Sequence, residues 1–205
     1  MAALGTLVAV GASPVRAEEE GKVMVRVRAL QLDPANDSKA IPGLGVPSDA
    51  IDVEDRIIPE VDISYFFTKN IAAELVLTYP QKHDVELMGT KIGSFKHLPP
   101  TLMVQYHFQP DAKFRPYVGA GVNYTRISSV KLNVPGVGKL DLENDSWGGA
   151  LQVGFDVMID KHWSFNVDVK KIWIDSDVEL KATGMKVSQV GVDPLLFGIG
   201  VGYRF

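Results

Sequence analysis

The chain has 205 residues, no cysteine and a formal net charge of −4. Absence of cysteine excludes disulfides, thiolate chemistry and cysteine-bound metal, and an acidic balance without basic clusters excludes a nucleic-acid surface. Mean hydropathy is +0.06, yet nowhere do about 18 apolar residues follow one another as a helical membrane span requires, so any membrane crossing must be made by strands.

The chain opens on a short apolar core, Leu4 to Val10, followed by Val15-Arg16-Ala17, which places small residues at the two positions a signal peptidase inspects, just before Glu18-Glu19-Glu20. This predicts a secretory signal over residues 1–17 and a mature chain over 18–205. No Lys or Arg precedes the core, which leaves a buried N-terminal helix as the alternative.

Eight alternating segments follow: Lys22 to Leu32, Ile57 to Phe67, Ile71 to His83, Thr101 to Phe108, Phe114 to Arg126, Ser146 to Met158, Trp163 to Asp175 and Pro194 to Phe205. A period of two gives a strand one apolar and one polar or small face. One parity carries Val23, Val25, Val27, then Val61, Ile63, Tyr65, Phe67, and ends on Phe197, Ile199, Val201, Tyr203, Phe205. The other carries Arg26, Arg28, Glu60, Asp62, Glu74, Gln105, Gln152, Asp156, Asn166, Asp168 and Lys170.

The connections alternate in length. Those at 68–70, 109–113 and 159–162 are tight turns, whereas 33–56, 84–100, 127–145 and 176–193 are long. Together with the even strand number, this predicts an all-β fold: an eight-stranded antiparallel transmembrane β-barrel with short periplasmic turns and long extracellular loops. Aromatic spacing agrees. Phe114 and Tyr124 share a face ten residues apart, as do Trp163 and Trp173, which at strand rise and barrel tilt spans about 25 Å, the height of an outer-membrane apolar band. Tyr203 and Phe205 close the last strand and are expected to matter for assembly.

The runs His97-Leu98-Pro99-Pro100-Thr101-Leu102-Met103, Lys113-Phe114-Arg115-Pro116-Tyr117-Val118-Gly119-Ala120-Gly121-Val122-Asn123-Tyr124, Asp145-Ser146-Trp147-Gly148 and the terminal Gly202-Tyr203-Arg204-Phe205 closely resemble the outer membrane protein W (OmpW) family over nearly the whole mature chain. The resemblance implies a barrel in the outer membrane of a Gram-negative bacterium. It also implies passive passage of small hydrophobic compounds through a narrow, partly apolar lumen with a lateral opening toward the bilayer. The partners expected are outer-membrane lipid and lipopolysaccharide, the barrel-assembly machinery and small hydrophobic compounds. Some members carry an aromatic where this chain has Lys170, which puts a hydrophobic plug at that point in doubt.

An eight-stranded barrel has an interior only just wide enough for its own side chains. Inward-parity Met24, Phe66, Val76, Met103, Ile172, Ile174 and Leu196 either line a narrow apolar path or fill the barrel. The inward charges Arg26, Arg28, Glu74, Asp156 and Lys170 are expected to neutralise one another with their neighbours, since a confined charge must be paired, with Lys170 at a polar mouth of the path. The histidines His83, His97, His107 and His162 lack metal-ligand spacing, and no cofactor or catalytic residue is indicated. Three functions remain open at this point. They are passage of apolar molecules, a receptor or structural barrel acting through its loops, and a barrel acyltransferase, for which no Ser-His-Asp arrangement is present.

Overall fold

Strand β1 (Val23–Asp33) realises its alternation along its whole length: Met24, Arg26, Arg28, Leu30 and Leu32 are buried while Val23, Val27 and Ala29 face outward. The same two-sided pattern repeats in β4 (Arg56–Phe66), β5 (Ile71–Thr78), β8 (Thr101–His107), β9 (Phe114–Val134), β11 (Asp145–Met158), β12 (Trp163–Ile172) and β15 (Leu195–Arg204). The computed structural model describes residues 21–33, 37–38, 51–53, 56–134, 138–181, 185–191 and 193–205. The expected signal segment, residues 1–17, lies outside the described residues.

These eight strands pair antiparallel with their chain neighbours, and β15 returns to β1 over Met24–Arg204 through Asp33–Leu195, so the sheet closes on itself. Closure leaves no backbone edge in the wall. The outward face is a continuous apolar surface that includes Val27, Leu102, Val104, Leu151, Val153 and Ile199. At the short-turn end it ends in edge-on aromatic pairs, Tyr65–Phe67, Tyr106–Phe108 and Tyr203–Phe205, with ring centroids 5.3, 5.0 and 4.9 Å apart. Tyr124 and Trp147, 4.9 Å apart, mark the opposite belt. The tight turns are held by side-chain acceptors: Asp160 Oδ1 takes the amides of His162 at 2.8 Å and Trp163 at 2.7 Å. Those two donors hold the Asp160 carboxyl below its usual range.

The long connections are not loops where they are described. They carry β6 (Gln81–Leu87), β7 (Thr90–Leu98), β10 (Gly138–Leu142), β13 (Asp175–Leu180), β14 (Met185–Gly191) and the short β2 (Asp37–Ser38) and β3 (Ile51–Val53), which continue the wall beyond the upper belt. What supports this extension is a second apolar cluster, Val85, Phe95, Ile127, Leu132, Leu140 and Val178, whose burial offsets the entropy of ordering the hairpins.

Two frame shifts lie at the base of the extension. Segment Ile71 to His83, expected as one strand, breaks at Tyr79-Pro80, and the buried parity passes from Ala72, Glu74 and Val76 to Gln81, His83 and Val85. On β9 the parity shifts at Ser128-Ser129, where Ser129 takes a φ of 54°. A one-residue shift exchanges the two faces of everything beyond it.

Candidate functional site

The inward residues of β1, read from the short-turn end, give the layering of the lumen: Met24, then Arg26 and Arg28, then Leu30 and Leu32. Met24 packs with Phe66 and Ala72 as a small apolar floor, over which the Arg204 guanidinium lies 3.9 Å from the Phe66 ring centroid. The second level, Arg26 and Arg28, lies in an ionic layer. The third joins Ile58, Val76, Met103, Ala150, Ile172, Ile174 and Leu196 in an apolar chamber.

The ionic layer is built around two arginines, every charge of it in an ion pair, with Asp62 Oδ1 left without a hydrogen bond. Arg26 is bidentate to Asp156, at 3.2 and 2.7 Å, and donates to Ser64 at 2.9 Å and Glu74 at 2.8 Å. Arg28 pairs with Glu60 at 3.0 Å, with Asp168 at 3.3 Å and with Asp62, and donates to Asn166 at 3.0 Å. Lys170 bridges Glu60 at 2.7 Å and Asp168 at 2.8 Å. Gln152 donates to Glu74 and Asp168 and accepts from Gln105. The Tyr117 hydroxyl donates to Asp168 at 2.9 Å, while its ring lies 5.2 Å from the Arg26 guanidinium. Every one of these groups is at most 4% exposed. At strand rise and barrel tilt two rows of such residues make a barrier about 10 Å thick. Separating any pair would strand a charge in low dielectric.

This arrangement changes three sequence-based expectations. Met24 and Phe66 do not share a path with Val76, Met103, Ile172, Ile174 and Leu196, because the ionic layer divides them. Lys170 is not at a mouth: it is buried where the ionic layer meets the chamber. Tyr117, absent from the expected inward set, is fully buried within the ionic layer, bonded to Asp168 and Asn166. Its place is opened by Gly154, where a Cβ would lie 2.5 Å from the Tyr117 hydroxyl oxygen. The Pro116-Tyr117-Val118 alternation contained that signal, since Val118 outward places Tyr117 inward.

Beside the chamber the wall is interrupted. Pairing of β5 with β8 stops at Val76–Thr101, and pairing resumes between β6 and β7 at Gln81–His97. Between them lie Pro80 on one side and Pro99-Pro100 on the other, residues with no N–H to give to a ladder. The carbonyls left there accept from side chains, and Pro100 O also accepts the Tyr124 amide of β9 at 3.1 Å. Gln81 Nε2 donates to Tyr79 O at 2.8 Å, Thr101 Oγ1 to Pro99 O at 3.2 Å, and Asn123 Nδ2 to Pro99 O at 3.3 Å and Pro100 O at 3.4 Å. A cavity of about 20 Å³ opens here, lined among others by Leu30, Ile58, Val76, His97, Pro99 and Ile174. That is room for one water-sized sphere, so any larger occupant requires the wall to part.

His97 roofs this cavity and stacks on His83 at 4.7 Å. Both lie past the upper belt, outside the membrane-spanning strands. Burial, then the neighbouring His83, pushes the His97 imidazole down to about 3, so the ring is neutral at neutral pH. Among the described residues no group of three or more His, Asp or Glu side chains is disposed to hold a metal ion.

A closed eight-stranded barrel with an apolar exterior, aromatic belts, short turns at one end and an extended wall at the other is an outer-membrane barrel of a Gram-negative bacterium. The profile of the OmpW family matches residues 19–205, and the chain belongs to that family. An outer-membrane protein of Sinorhizobium fredii is 44% identical over 185 residues, covering 88% of this chain and 79% of that one. Outer membrane protein W of Vibrio cholerae is 36% identical over 213 residues, 98% of this chain and 97% of that one. The crystal structure of OprG from Pseudomonas aeruginosa superposes with a TM-score of 0.71 at 32% identity, covering 91% of this chain and 96% of that one. A dibenzothiophene metabolism operon protein of Pseudomonas aeruginosa is 28% identical over 169 residues, 80% of this chain and 78% of that one.

Proposed function

We propose that this protein passes small hydrophobic molecules from the cell surface into the outer-membrane bilayer, entering the apolar chamber from above and leaving sideways through the proline-lined interruption between β5–β6 and β7–β8. One coincidence carries the reading: the chamber is sealed beneath by a paired ionic layer and weakened beside by a break in the ladder. An apolar solute gains nothing by displacing charge pairs, whose separation costs several kcal/mol, on the order of 3–5. Parting a seam that already lacks backbone hydrogen bonds costs less, and the bilayer beyond is as apolar as the chamber. The operon name of the Pseudomonas relative and the passage implied by the family resemblance support the same class of cargo. We assign the protein no catalytic role.

The test is uptake of a small alkane or aromatic into liposomes with and without the folded protein. Uptake should be faster with it, and Met103→Arg, which places a charge at a fully buried chamber position, should abolish the increment while heat-dependent migration on electrophoresis still reports a folded barrel. Equal uptake with and without folded protein would replace this reading by a receptor or structural one acting through the extracellular strands.

A further inference from the structure

The chamber and the upper apolar cluster are separated by rings. His83 lies directly opposite Phe95 across the β6–β7 ladder, and His97, opposite Gln81, is its diagonal neighbour. The three rings stand close to parallel: His83 and Phe95 are 5.8 Å apart at 27°, His83 and His97 are 4.7 Å apart at 23°, and Phe95 and His97 are 6.1 Å apart at 34°. All three side chains are buried. Phe95 belongs to the upper cluster with Val85 and Ile127, while His97 borders the cavity above Leu30, Ile58 and Ile174. A solute moving from the upper cluster to the cavity therefore moves along this stack.

We propose that Phe95, His83 and His97 form a selectivity collar that favours flat aromatic molecules over saturated hydrocarbons of the same size. The proposal rests on the passage reading above and adds the substrate class. Aliphatic walls such as Leu30, Ile58, Val76 and Ile172 attract any apolar solute in proportion to its area, whatever its shape. Ring faces add a term that only another ring meets fully, because the quadrupoles of two aromatic groups attract in offset or edge-on contact. His97 keeps this character because it is uncharged: a charged imidazolium would hold water at the collar, and burial, with His83 beside it, keeps His97 neutral down to about pH 3.

Naphthalene and decahydronaphthalene share one carbon skeleton and differ in flatness and aromaticity, which makes them the probes. In liposomes holding the full-length protein, the protein-dependent uptake of naphthalene should exceed that of decahydronaphthalene roughly two- to tenfold, the equilibrium counterpart of one aromatic contact. His97→Leu and Phe95→Leu keep the collar apolar and should bring the ratio toward one, whatever either variant does to total uptake. A ratio of one in the unaltered protein, or an unchanged ratio in both variants, overturns the collar. Uptake of neither probe above protein-free liposomes overturns the passage reading and the collar with it. Should a variant fail to fold, NMR of the unaltered protein in lipid discs decides. Naphthalene should shift the His97 and Phe95 ring signals, decahydronaphthalene only the Ile172 and Ile174 methyl signals, and equal ring shifts from both probes contradict the collar.

Discussion

The lower and upper halves of this lumen are built from the same eight strands and hold themselves together by opposite means. In the lower half every wall pairing is continuous and the interior is an ion-paired layer, from Arg26 with Asp156 and Glu74 to Lys170 with Glu60 and Asp168. In the upper half the interior is aliphatic, and the ladder between Val76–Thr101 and Gln81–His97 is missing. Charge pairing needs a rigid frame, because unpaired charge in a dry interior is costly. Aliphatic contact tolerates rearrangement, because it has no direction. A wall can therefore part beside the second kind of interior and not beside the first.

The largest way to break that contrast is Arg28→Met, which leaves Glu60, Asp62 and Asp168 without their common partner. We expect a loss of about 3–5 kcal/mol, read by denaturant unfolding in lipid vesicles. A loss below about 1 kcal/mol, the scale of an exposed pair, would mean that water reaches the layer. Next comes the wall itself. Leu151→Arg puts a charge on the lipid face and should cost about 2–4 kcal/mol. Gln152→Arg, one residue on, points inward and meets Glu74 and Asp168, so it should cost less; the reverse order would invert the two faces.

Acid sharpens the comparison because it acts on the upper half outside the membrane. His97 is held at about 3 in the folded protein against 6.5 when exposed, so between those values the unfolded hairpin binds more protons than the folded one. Stability contributed by neutral His97 is complete above about 6.5 and is lost progressively as pH falls toward about 3. Amide exchange, corrected for its intrinsic pH dependence, should show β6–β7 losing protection relative to β11–β12 between pH 7 and 4, and His97→Leu should remove most of that difference. The smallest effect belongs to neither half. Lys69 and Asp111 form an ion pair at the short-turn end with side chains 69% and 73% exposed, and Lys69→Ala should change stability by no more than about 1 kcal/mol.

How much of this was legible before the coordinates depends on whether a signal was periodic. The eight wall strands follow from an unbroken alternation, and so do the buried charges, since parity alone sets Arg26 and Arg28 on the face opposite Val25 and Val27. Parity does not say how inward residues of different strands stack along the axis. For that reason parity groups Met24 and Phe66 with Met103, and leaves the depth of Lys170 open to a place at a mouth. The strands of the extracellular extension were hidden by the frame shifts at Tyr79-Pro80 and Ser128-Ser129, which reverse the apolar parity. His83 and Val85 then face inward although Leu75 and Leu77, of the same parity, face outward. The three prolines around the break were visible in the sequence, but that Pro80 faces Pro99-Pro100 across one seam depends on the pairing.

The central claim is that the seam is the exit, and locking it tests this most directly. The chain has no cysteine, and continuing the Val76–Thr101 register sets Leu77 against Pro100, so Leu77→Cys with Pro100→Cys introduces a single removable cross-link there. We expect the oxidised protein, folded by its heat-dependent migration, to lose its hydrocarbon uptake into liposomes, and a reductant to restore it. Uptake that stays the same in the locked barrel would contradict a lateral exit through this seam.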